Sequence, residues 1–139
     1  ALITFVLVSS PSLGKMIGFL ILMFTAGTVM TAFAVLAHSL SFWLGRSERL
    51  ADQLTEALLS FSLYPEGIFS TATRLVLYTL IPAGFVSYLP VRILHEFTAA
   101  NLVLLLIFAA GIGTLARFVF YEGLKRYQSG NLVVINVID

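Results

Sequence analysis

The chain has 139 residues, of which 59% are apolar and 11% charged, against roughly 45–50% and about 25% in a soluble domain. Together with a mean hydropathy of +0.99, this excludes an ordinary cytosolic enzyme, a disordered tail and a nucleic-acid binder, which would need a basic surface. Eight Lys/Arg against seven Asp/Glu leave a net charge of +1, so no bulk charge selects a partner. The composition is that of an integral membrane protein.

The chain opens inside an apolar run, ALITFVLV at 1–8, with no initiator Met. This run is too short to cross a bilayer alone and reads as the end of an earlier span of a longer polypeptide. SSPSLG at 9–14 is a turn composition that joins it to the next segment. From Met16 to Gly45 there is no Asp, Glu, Lys or Arg, and about 20 apolar residues suffice for a spanning helix. The uncharged stretches Leu75–Val91 and Phe97–Ala116 follow. Full spans are expected at 16–41, 74–91 and 99–120. The expected fold is all-α, a polytopic transmembrane helix bundle with about three full spans and the end of a fourth, forming one domain over 1–139. A signal peptide is disfavoured, because the first full apolar stretch is too long and others follow it.

Between the first two spans, SERLADQLTEALLSF at 47–61 places Leu50, Leu54, Ala57, Leu58 and Phe61 on one face, and Glu48, Arg49, Asp52 and Glu56 on the other. Ser47 is a candidate N-cap and Glu48 suits the first turn. The segment is expected to lie along the cytoplasmic membrane surface or under the bundle. LYPEG at 63–67 ends it. Orientation follows from the basic residues. Arg46, Arg49 and Arg74, with Arg117, Lys125 and Arg126, stand against Lys15 and Arg92. The segment 45–74 and the C-terminus are therefore expected in the cytoplasm, and Lys15 and Arg92 outside.

Chemistry is sparse. With no cysteine, disulfides, thiolate metal sites and a cysteine nucleophile are absent. His38 and His95 lie far apart in sequence, so no metal site is expected from this chain. There is no GxxxxGK[ST] loop, HEFTA at 95–99 lacks the second histidine of HExxH, and no GxSxG elbow occurs. Carboxylates do not cluster within a span. No catalytic residue, bound cofactor or nucleic-acid partner is expected, and membrane lipids are the surroundings.

In the first full span Gly27, Thr31, Ala34, His38 and Ser41 recur at helical spacing, which suits close helix packing or the lining of a substrate path. His38 is an ionisable group in an apolar run, close to Trp43, an interfacial residue type. In LIPAGFVSYLPVRILHEF, Pro82 and Gly84 interrupt the second span and Pro90 ends or turns it; a broken helix marks a gate or binding site, or a simple kink. Arg92 and Glu96, one turn apart, are expected to pair at the outer surface. AAGIGTLA at 109–116 is a small-residue packing patch, and the final NLVVINVID suits a strand or a docking segment.

FWLGRSE at 42–48, FSLYPEGIFS at 61–70, LIPAGFVSYLPVRIL at 80–94 and FYEGLKRYQSG at 120–130 resemble the C-terminal half of ABC-transporter export permeases of the second type. More narrowly, the chain looks like a branch of these permeases ending in G-L-x-R-Y-x-S, here Gly123, Leu124, Lys125, Arg126, Tyr127, Gln128 and Ser129. The resemblance implies the later half of a six-span inner-membrane permease that moves substrate by ATP hydrolysis on separate ATP-binding subunits. It also implies a second permease chain, identical or different, with substrate moving along the interface. Gly27, Thr31, His38, Pro82 and Gly84 would then line the path or the dimer interface, with Arg92 and Glu96 near the outer exit. The alternatives are a structural or assembly subunit without transport, and a membrane-embedded lipid-modifying enzyme.

Overall fold

The computed structural model describes residues 13–45 and 47–135, with side chains as far as 127; the run 1–8, expected to end an earlier span, lies outside them. All the elements are helical: α1 (Leu13–Ser39), α2 (Ser41–Leu44), α3 (Glu48–Leu63), a 3₁₀ turn (Glu66–Ile68), α4 (Thr71–Thr79), a π-helical turn (Gly84–Tyr88), α5 (Leu89–His95) and α6 (Ala99–Ile135).

Two stretches are long and apolar enough to cross a membrane, Leu13–Leu44 with 32 residues and Ala99–Tyr127 with 29. They contain the spans expected at 16–41 and 99–120. They are apolar all round, as helices in lipid must be, and they form the most extensive helix pair. Three hydroxyls within α1 are satisfied by the preceding turn: Thr25 donates to the Ile21 carbonyl at 2.7 Å, Thr28 to Phe24 at 2.9 Å and Ser39 to Val35 at 2.6 Å. An apolar solvent offers them no other partner. The seam is filled by Leu22 and Val29 of α1 against Leu105 and Ala109 of α6. The last helix runs on to Ile135, so NLVVI continues it rather than forming a strand.

The segment expected to span at 74–91 is not one helix. α4 and the Gly84–His95 stretch meet at an angle of 84° across a short break. Pro82 has no N–H to donate, and the N–H groups of Leu80 and Ile81 both close on the Val76 carbonyl, which ends α4. Past the break, the Leu89 N–H returns to the Gly84 carbonyl in a wide π turn. That widening stands directly before Pro90, whose ring would crowd the carbonyl four residues back in a regular helix. Pro90 therefore does not end the helix, which continues to His95.

α3 also differs from expectation. It is a helix with a buried apolar face, but it runs antiparallel along α1 instead of lying across the bundle's end. His38 faces Asp52 near the start of α3, while Leu54, Leu58 and Phe61 pack in the cluster around Phe33 and Met30. Sixteen residues carry the chain about 24 Å up the bundle. Ser47 is not a side-chain cap: its Oγ is buried without a hydrogen-bond partner among the described residues. Ser70 does cap α4, accepting from the Thr73 N–H at 3.3 Å.

Candidate functional site: a broken helical hairpin held by Glu66

The hairpin of α4, the π turn and α5 packs into both cores. Phe85, Leu89 and Ile93 meet Leu22, Val29, Leu105 and Ala109, and Leu77, Ala83 and Tyr88 meet Phe33 and Leu58. Phe85 stacks flat on Phe108 of α6, with ring centroids 3.6 Å apart. Tyr78 stands edge-on to Phe85 at 5.5 Å, and Phe69 leads the cluster back to Phe61 of α3. Gly84 is required at the centre of this aromatic group, because a Cβ there would run into the Tyr78 ring.

Two polar links fix the hairpin to what precedes it. The Tyr88 hydroxyl donates to the Phe61 carbonyl at 2.6 Å, in the last turn of α3, where helical carbonyls lack backbone partners. Glu66, on the 3₁₀ turn, receives two donors on its two oxygens. Arg92 Nη2 reaches Oε2 at 3.0 Å and the Tyr78 hydroxyl reaches Oε1 at 3.3 Å. The Glu66 side chain is 23% exposed and that of Arg92 53%.

Arg92 is thus paired with Glu66 and not, as its spacing suggested, with Glu96. The reason is the climb of α3, which lifts Glu66 to the level of α5, while the helix ends at His95 and Glu96 turns away in extended geometry. The same contact corrects the topology read from charge, since Glu66 and Arg92 cannot lie on opposite sides of a membrane. Both are at the Lys15 end of the bundle, where Gly14, Lys15 and Phe19 share a cleft with Ile93, Leu94 and His95.

The remaining sequence candidates lie in different places. Gly27 and Thr31 line an open groove of about 850 Å³ between α1 and α6, with Gly113 and Arg117 on its far wall. His38 is exposed at the other end, its Nε2 3.9 Å from Asp52 Oδ1. Pro82 borders a smaller groove with Phe33, Leu36, Phe108 and Gly111, and Gly84 is buried. Within one chain they do not form a continuous path. Glu66, Tyr78 and Tyr88 were missed by sequence reasoning. Their partners are 12 to 27 residues away, beyond any helical spacing rule.

A second cluster joins two of the family-like stretches. Phe42 of FWLGRSE lies against Gly123 of FYEGLKRYQSG, where a Cβ would meet its ring. Arg126 covers the Trp43 ring at 5.1 Å. These motif residues are therefore neighbours in space at the His38 end of the bundle.

The family model described as ABC-2 family transporter protein matches residues 2–131. The chain belongs to that family. It is accordingly a membrane-embedded transporter component of a family of permeases rather than of enzymes, which agrees with its apolar helices. No curated protein and no solved structure matches the chain.

Proposed function

We propose that the chain is the later half of the transmembrane subunit of an ABC exporter, in the inner membrane, working with a second permease chain and two separate ATP-binding subunits. The supporting observation is that the family match, over residues 2–131, takes in every helix of the described bundle except the last turn of α6, including the hairpin that breaks inside it. ATP binding and hydrolysis on the partner subunits bias the permease between two conformations, and substrate follows the shift. Gly27 and Thr31, in the α1–α6 groove, line a face toward substrate or a second permease chain; Pro82 and Gly84 form the bend.

The proposed orientation keeps the C-terminus in the cytoplasm. With Arg74 counted at the Glu66 end, Arg46, Arg49, Arg117, Lys125 and Arg126 stand against Lys15, Arg74 and Arg92, five against three. The excess puts the His38 end and the C-terminus in the cytoplasm. The hairpin then enters from the outer side and returns to it, the re-entrant reading of its 84° bend. Such broken backbone in a membrane needs protein around it, which the two cores supply.

The test is native mass spectrometry of the complex purified from its own membrane. The expected mass is two permease chains with two ATP-binding proteins. A permease that purifies under gentle conditions with no ATP-binding protein contradicts the reading.

A further inference from the structure

We propose that Glu66 is the latch of the re-entrant hairpin: its grip on Arg92 and Tyr78 holds the outer side closed, and its release is the step that opens it. The proposal rests on the permease reading and adds a moving element and its control.

Three observations converge on Glu66. It belongs to neither limb of the hairpin but to the 3₁₀ turn Glu66–Ile68 before it, between Pro65 and Gly67. Its two carboxylate oxygens hold one residue from each limb, Tyr78 in α4 and Arg92 in α5. The backbone between those limbs is already a hinge, with Pro82 withholding a donor, an 84° bend and a π turn. Opening the angle there breaks no regular helix. What must break is the Glu66 pair of contacts and the Tyr88 bond to Phe61, with the ring contacts of Tyr78 to Phe85 and Tyr88 sliding as the angle opens.

The pair suits repeated breaking. Arg92 is half-exposed, so water takes up both charges when they separate, and the cost is that of a surface ion pair rather than a buried one. By contrast Phe85, stacked on Phe108, and Leu89 and Ile93, in the core, hold the π turn and α5 against α1 and α6. Glu96, only four residues beyond Arg92, has no share in the latch.

The test uses the full permease in membranes with its ATP-binding subunits. The 139 residues contain no cysteine, so Ile81→Cys at the bend adds the one thiol of this segment. A membrane-impermeant maleimide, added from outside, reports opening without knowledge of the substrate. Glu66→Gln and Arg92→Gln are each expected to raise its labelling rate by up to about five-fold, the upper end of what loss of one half-exposed ion pair imposes on a closed-to-open equilibrium. Tyr78→Phe, which removes only the hydroxyl, should raise it less. The exchanged pair Glu66→Arg with Arg92→Glu should return it toward the parent rate. Trapping the parent with ATP and vanadate should also change labelling, and the change should shrink in Glu66→Gln. Unaltered labelling in all three single variants, or a parent insensitive to nucleotide while its ATP-binding subunits are bound, overturns the latch. Failure to purify with ATP-binding subunits is a separate result and strikes the permease reading itself.

Discussion

The straight pair α1 and α6 and the broken hairpin between α3 and α6 are built from similarly apolar sequence, yet they are held in different ways. α1 and α6 meet along a seam of aliphatic and small side chains, with Leu105 fully buried and Ala109 and Ala116 nearly so. Either helix satisfies its own backbone, so their contact sets only where they lie. The hairpin cannot satisfy its own backbone at Pro82, and it is positioned by aromatic rings and by Glu66 and Tyr88 reaching across long chain separations. Length and apolarity therefore specify a spanning helix, whereas a broken hairpin needs partners that only the fold supplies.

That difference can be broken most severely in the aliphatic cores. Leu105→Ala in the seam and Leu58→Ala beneath the hairpin each remove a side chain that is 0% exposed, and each is expected to cost about 2–5 kcal/mol. Thermal unfolding of the purified complex in detergent should show both. If Leu58→Ala is silent, α3 does not run along α1 as described.

Gly84→Ala is expected to cost about 1–3 kcal/mol, as an overpacked site does, because the added Cβ meets the Tyr78 ring. Gly27→Ala, with nothing within 4 Å of the new atom, should be neutral or slightly stabilising through helix propensity, by up to about 1 kcal/mol. Equal losses at the two glycines would remove the distinction between hairpin and straight helix. A smaller effect, about 1 kcal/mol, is expected for Tyr88→Phe, which leaves the Phe61 carbonyl without its 2.6 Å donor. Melting temperatures of the same complex read it, and no change would mean that another donor replaces the hydroxyl.

These effects fall where the sequence was hardest to read. The spans at 16–41 and 99–120, the break at Pro82 and Gly84, and the amphipathic helix near 47–61 follow from local composition and spacing. The direction of α3 does not, because an amphipathic face fits a membrane surface and a neighbouring helix equally well. Its apolar side in fact buries Leu58 against Phe33. That error carried Glu66 to the wrong end of the bundle and gave Arg92 the nearer partner, Glu96. Spacing rules see residues three or four apart; the bond from Arg92 to Glu66 spans 26. The stretches FWLGRSE and FYEGLKRYQSG were recognisable as words, while their contact through Phe42 and Gly123 required the fold.

The proposed re-entrant course of the hairpin is tested most directly by single-cysteine labelling. Gly67→Cys and Glu96→Cys flank the hairpin at exposed positions, and Lys125→Cys marks the far end of the bundle. With a membrane-impermeant maleimide on intact cells, positions 67 and 96 should be labelled alike from outside, and position 125 only after permeabilisation. Labelling of 67 and 96 from opposite sides would make the segment a full span and contradict the account.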